Sequence, residues 1–90
     1  MAVRIEIPSP LREHTGGLVE VSVTGITVQA ALDDLVRQYP TVGPKLFDGG
    51  KLRPYINLFV NDEDIRYLDD MQTAVADGQV VAVIPAVAGG

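Results

Sequence analysis

The residues of this chain best placed to do chemistry lie at its C-terminal end, in Pro85-Ala86-Val87-Ala88-Gly89-Gly90. After Pro85 every side chain is small and uncharged, and the chain finishes on two glycines. Such a run has too little apolar area to hold itself in place, and ordering each backbone residue costs roughly 1–2 kcal/mol. Residues 85–90 are therefore expected to form a flexible tail that ends in a bare carboxylate. Glycine has no Cβ, so a Gly-Gly terminus can enter a channel too narrow for other residues. Delivered in this way to an ATP-using enzyme, the Gly90 carboxylate can be adenylated, and the acyl-adenylate is open to attack by sulfur or nitrogen. Gly89, Ala88 and Val87 are the segment that would thread the channel. The competing reading is a frayed end without function.

The rest of the chain offers little chemistry of its own. There is no cysteine, which removes a disulfide framework, a thiolate metal site and a cysteine nucleophile. His14 is the single histidine and sits in a Thr-Gly-Gly turn with no second ligand at metal-binding spacing, so it reads as a surface residue. Asp62-Glu63-Asp64 and Asp69-Asp70 lack the spacing and distal glutamate of a calcium loop. They read as solvated acidic turns, with docking to a basic partner as their functional option. Ser9, Ser22 and the threonines have no adjacent base, and the glycine pairs match neither dinucleotide nor P-loop spacing. Catalysis by this chain alone is not expected, nor is a cofactor or a metal.

Ninety residues make one domain, and a 47% hydrophobic content is ample for a single core. The net charge of −5, with a pI near 4.5 and no basic cluster, argues against nucleic acid and anionic membrane as partners. No apolar run approaches the about 20 residues of a membrane span, and Met1-Ala2-Val3-Arg4 shows no signal-peptide pattern. A cytoplasmic protein is expected.

The elements that must carry the tail follow from periodicity. Val3-Arg4-Ile5-Glu6-Ile7 and Val19-Glu20-Val21-Ser22-Val23 alternate as half-buried strands, joined by a turn-rich connection with paired glycines at 16 and 17. They are expected to form an antiparallel hairpin. The period then becomes helical from Thr27, placed as an N-cap, through Val28, Ala31, Leu32, Leu35 and Tyr39, and Pro40 ends it. Residues 41–54 read as mostly loop, with Val42, Leu46 and Phe47 folding back to pin a short turn of helix against the core. A third strand covers Tyr55 to Val60, a turn covers Asn61 to Asp64, and a short edge strand is expected over Ile65 to Leu68. Asp77-Gly78-Gln79 turns the chain into a final strand from Val80 to Ile84, where Pro85 is expected to end ladder pairing. The order β-β-α-loop-β-β-β predicts an α+β domain over residues 1–84, a mixed sheet of four to five strands gripping one helix. If Ile56, Leu58 and Val60 face that helix, Phe59 faces outward and is a candidate docking anchor for a partner.

Four stretches carry a family resemblance. They are Thr27-Val28-Gln29-Ala30-Ala31-Leu32 through Tyr39-Pro40, Val60-Asn61-Asp62-Glu63-Asp64-Ile65-Arg66, Asp77-Gly78-Gln79-Val80, and Ile84-Pro85 through Gly89-Gly90. In these the chain resembles the MoaD/ThiS family of ubiquitin-like sulfur carriers over nearly its whole length. The resemblance implies a ubiquitin-like β-grasp fold and a carrier that is not itself an enzyme. It also implies partners: an E1-like activating enzyme of the MoeB/ThiF type adenylates Gly90, and a sulfur donor converts the terminus to a thiocarboxylate. Residues His14-Thr15-Gly16-Gly17, Asn57 to Arg66 and Pro85 to Gly90 look most like the carriers of cysteine biosynthesis, the CysO type. There the implied acceptor is a pyridoxal-phosphate (PLP) dependent cysteine synthase, and a metalloprotease releases the product. The alternatives are the small subunit of molybdopterin synthase, acting with its large subunit, and a ubiquitin-like modifier joined to lysines.

Overall fold

The computed structural model describes residues 2–86 of the chain, and the sequence elements appear in it in the expected order. Strand β1 (Val3–Glu6) pairs antiparallel with β2 (Glu20–Val23), with Ile5 opposite Val21. A 3-10 helix, Ser9–Thr15, fills the connection, and Gly16 ends it in the left-handed region. Helix α1 (Val28–Gln38) begins at Thr27, whose Oγ1 accepts a hydrogen bond from the Ala30 amide at 3.1 Å. It stops ahead of Pro40, because the residue before a proline is pushed out of the helical region; Tyr39 lies at φ −131°. Gly25 is required just before the helix, since a Cβ there would lie 2.6 Å from the Ala31 nitrogen.

Residues 40–54 hold the expected short turn of helix and, beyond it, a small hairpin. A 3-10 turn, Pro40–Val42, leads into α2 (Gly43–Leu46), and then β3 (Phe47–Asp48) pairs with β4 (Lys51–Leu52) around Gly49-Gly50. Val42 and Leu46 are buried and Phe47 packs against the core, as expected. The little hairpin escapes periodicity because two-residue strands are too short to alternate.

Strand β5 (Ile56–Val60) and β6 (Glu63–Asp64) are joined by Asn61 and Asp62, both at positive φ. Such a two-residue turn returns the chain at once, so the edge strand is Glu63–Asp64. The edge strand expected over Ile65 to Leu68 is not formed. Ile65–Tyr67 is instead a 3-10 turn, capped by the Asp64 carboxylate, which accepts from the Arg66 amide at 2.9 Å. Asp64 is accordingly buried and ion-paired rather than a solvated turn residue.

The final strand β7 (Val80–Pro85) enters the middle of the five-stranded sheet, whose order is β2-β1-β7-β5-β6. It runs parallel to β1 and antiparallel to β5. Pro85 belongs to it, opposite Ile56, and the Ala86 amide still donates to the Tyr55 carbonyl at 2.6 Å. Alternate amides in a strand point to opposite neighbours, so the N–H that Pro85 lacks faces the β1 side. Pairing with β1 has ended there, at Glu6 opposite Ala82, so the proline removes no ladder bond.

One face of this sheet forms the core. Ile5, Val21, Val23, Leu58, Val81 and Val83 are buried against Val28, Ala31, Leu32 and Leu35 of α1. No helix among the described residues is long and apolar enough to cross a membrane.

Candidate functional site: the uncovered sheet face and the root of the tail

Among the described residues no helix covers the other face of the sheet, and β7 leads toward the chain end from its centre. The terminal residues Val87, Ala88, Gly89 and Gly90 lie outside the described residues. What the structure gives is their root, Ala86, fixed by its hydrogen bond to Tyr55. The root therefore stands at one end of the sheet's central strand.

The alternation of β5 fixes what the uncovered face presents. Ile56, Leu58 and Val60 are buried, so Asn57 and Phe59 point to the uncovered face, and Phe59 is half-buried there. This is the register expected from the sequence. Val80, Ala82 and Ile84 of β7 join Phe59 on that face, and Ile84 is 47% exposed. Two shallow clefts mark the surface. One, of about 280 Å3, is bordered by Phe59, Val80, Ala82 and Glu6. The other, of about 340 Å3, lies nearer the tail between Ile84, Ala82, Glu6, Val19 and Arg12.

Charge on this face is uneven. Strand register sets Glu20, Glu6, Ala82 and Phe59 in one row across the sheet. Two carboxylates directly opposite one another repel, and Arg4, 4.0 Å from Glu20, offsets them in part. The apolar stripe thus carries an acidic border on the β1–β2 side. Arg12 closes the far end, its Nε donating to the Ile7 carbonyl at 3.0 Å.

The remaining sequence candidates are structural. His14 is half-buried, and its Nδ1 lies 3.2 Å from Thr41 Oγ1, tying the first connection to the 40–54 segment. The Asp64 carboxyl is held below the usual carboxylate range by Arg66, first through the side-chain hydrogen bond and then through the Arg66 amide. Asp34 is held low chiefly by the Thr24 amide, then by Arg37. Neither has an open coordination side, and no cluster of potential metal ligands occurs among the described residues.

Sequence reasoning found Phe59 but missed its neighbours Val80, Ala82 and Ile84 and the row of glutamates. A signal was present. Val80-Val81-Ala82-Val83-Ile84 is apolar at every position, whereas a strand covered on one face needs apolar residues only at alternate ones. The surplus side chains form the surface stripe.

One main helix held across a mixed five-stranded sheet, with the last strand inserted beside the first, defines the ubiquitin-like β-grasp class. The sequence matches the ThiS family over residues 5–90. It is 45% identical to the sulfur carrier protein CysO of Mycobacterium tuberculosis over 93 aligned residues, covering all of both chains. A chain in the crystal structure of the Amycolatopsis orientalis BexX/CysO complex superimposes with a TM-score of 0.91 at 40% identity, over 99% of this chain and 100% of that one. The small archaeal modifier protein 3 of Haloferax volcanii is 38% identical over 64 residues, 71% of this chain and 70% of that protein. This chain belongs to the ThiS family of sulfur carriers.

Proposed function

We propose that the chain carries sulfur as a thiocarboxylate on Gly90 for cysteine biosynthesis. A carboxylate is a poor electrophile, so an E1-like enzyme of the MoeB/ThiF type first converts it to an acyl-adenylate with ATP. A sulfur donor then displaces AMP, and a PLP-dependent cysteine synthase takes the sulfur; a metalloprotease releases the new cysteine from the carrier's end. Because the sulfur rides on the terminus itself, a chain without cysteine is sufficient. Threading Val87, Ala88 and Gly89 into a partner costs roughly 1–2 kcal/mol per residue ordered. Contact between the partner and the stripe around Phe59 offsets that cost, with Phe59 as the aromatic anchor.

The observation that carries this reading is the family match running through to residue 90. It is supported by the root of the tail at the end of β7, beside an uncovered apolar face. Incubation with ATP, an activating enzyme and a sulfide source should raise the intact mass by about 16 Da, oxygen replaced by sulfur. An unchanged mass under conditions that charge a known carrier would overturn the reading. The likeness to an archaeal modifier favours a second use, attachment of Gly90 to lysines of other proteins. Isopeptide-linked adducts recovered from cells would support it.

A further inference from the structure

An outermost strand turns half of its backbone groups toward solvent, where another strand can add. The five-stranded sheet has two such edges, β6 and β2. β6 holds only two residues and runs straight into the 65–67 turn, so it offers little to pair with. β2 is longer, and its register with β1 says which groups face out. The Ile7 amide donates to the Val19 carbonyl at 2.8 Å, and Val21 and Val23 share that inward phase toward β1. The backbone groups of Glu20 and Ser22, and the Thr24 amide, therefore point away from the sheet.

Helix α1 reaches over this edge and takes two of those groups. Gln38 Nε2 donates to the Ser22 carbonyl at 3.0 Å, and the Thr24 amide donates to Asp34 Oδ2 at 3.0 Å. The two side chains are themselves joined, Gln38 Nε2 donating to Asp34 Oδ2 at 3.0 Å. Arg37 completes the group, its Nε and one terminal nitrogen donating to Asp34 Oδ1 at 2.8 and 2.6 Å. The Asp34 side chain is only 10% exposed, so the cluster is a packed clasp across the edge and not a passing surface contact. The Ser22 amide and both backbone groups of Glu20 have no partner among the described residues.

We propose that this clasp guards the β2 edge: it keeps the chain a monomer, and opening it admits a second copy, β2 against β2, antiparallel and centred on Ser22. A two-fold pairing there sets Ser22 opposite Ser22 and Glu20 opposite Thr24 of the second copy, so no like charges meet. Centred on Glu20 instead, the pairing would set two carboxylates face to face. The Ser22 register also brings Leu18 toward Ile26 of the second copy, large apolar side chains that are 45% and 81% exposed in the single chain. Both bonds of the Ser22 pair need the carbonyl that Gln38 holds, and the bond from Thr24 to Glu20 needs the amide that Asp34 holds. With the clasp closed, only the bonds from the Glu20 amide to the Thr24 carbonyl remain, too few to offset the lost freedom of two associating chains. The guard is independent of the sulfur-carrier reading, although edge pairing would run two uncovered sheet faces into one.

The test compares the full chain with Gln38→Ala and with the double variant Asp34→Ala/Gln38→Ala, by sedimentation equilibrium up to about 1 mM and by amide hydrogen exchange. The unsubstituted chain should hold its mass of 9.6 kDa throughout, with the Val21 and Val23 amides protected and the Ser22 amide exchanging fast. Gln38→Ala should climb toward twice that mass as concentration rises, and the double variant should do so at lower concentration. In both, the Ser22 amide should become protected in step with dimer formation. Loss of a merely structural contact would instead speed exchange at Val21 and Val23 and leave Ser22 fast. Variants that stay monomeric at 1 mM with Val21 and Val23 protected would overturn the proposal. So would an unsubstituted chain that dimerises as readily, or dimers in which Ser22 still exchanges fast. If the double variant fails to fold, Gln38→Ala, which removes only an exposed side chain's amide, decides the matter alone.

Discussion

The two faces of the sheet are written by the same strands and do opposite work. Inward, Ile5, Leu58 and Val81 are at most 1% exposed and lock onto α1. Outward, Phe59, Val80, Ala82 and Ile84 are as apolar but meet no helix, and Glu6 and Glu20 face each other beside them. A protein selected for stability alone would not set two like charges opposite or leave an apolar stripe uncovered. The inner face makes the fold, the outer face is the proposed occasion for binding, and the proposed chemistry belongs to the residues that follow the strand common to both.

The largest effect expected from breaking this division lies outside both faces. Removing Gly90 should abolish the mass gain on charging altogether and leave the thermal midpoint unchanged, because the described core ends at Val83. A shift of several degrees in that midpoint would mean that the terminus belongs to the folded body.

Adjacent residues of β5 sharpen the comparison. Leu58→Ala empties a core position that is 1% exposed, and should cost about 2–5 kcal/mol in denaturant unfolding. Phe59→Ala, one residue on, should cost only about 1 kcal/mol, as at a partly exposed site. Its effect should appear instead as a raised KM for the carrier in the activation reaction, with the chemical step preserved. Equal losses of stability at both positions, or an unaltered KM for Phe59→Ala, would show that the two faces are not divided in this way.

Much of the inner face was legible in the sequence because burial on one side imposes a period. Alternation in β1 and β2 and the 3.6-residue spacing of Val28, Ala31, Leu32 and Leu35 left few other arrangements. What stayed hidden was non-local or very short. No local pattern states that β7 lies parallel to β1, since that pairing joins residues some 75 positions apart, Arg4 to Val80 and Glu6 to Ala82. The β3–β4 hairpin has too few residues to show a period. The edge strand was displaced because Ile65-Arg66-Tyr67-Leu68 alternates well enough for a strand, while the Asp64 cap and the positive φ values at Asn61 and Asp62 spend the return earlier. At the site, the alternation placed Phe59 and the terminal glycines announced the tail. The glutamate row needed the register of three strands at once.

Capping tests the helix that the inner face grips. Thr27→Ala removes the acceptor for the Ala30 amide and should destabilise by about 1 kcal/mol, visible as a lower denaturant midpoint with an unchanged slope. Gly25→Ala probes the same entry differently. Its Cβ would meet the backbone of α1 at 2.6 Å, so the helix must shift, at a cost of about 1–3 kcal/mol typical of overpacking.

Acid should produce the smallest effect and the one most confined to loops. Asp34 and Asp64 both hold their protons less tightly in the folded chain than the ordinary value of 3.8, Asp34 chiefly through the Thr24 amide and Asp64 chiefly through Arg66. A carboxyl depressed by folding stabilises the native state fully above its unfolded value and loses that contribution as pH falls through its folded one. Stability should therefore be flat from neutrality to about pH 5 and decline below about pH 4. Asp34→Asn and Asp64→Asn should each flatten that decline, Asp64→Asn also loosening the 65–67 turn in hydrogen exchange. Asp34 lies on α1, away from the uncovered sheet face, whereas Asp64 stands opposite Phe59 in the strand register, at the β6 edge of that face. If Asp34→Asn altered charging of Gly90 at neutral pH, α1 would have to be counted as part of the docking surface, and the border between the two faces would move.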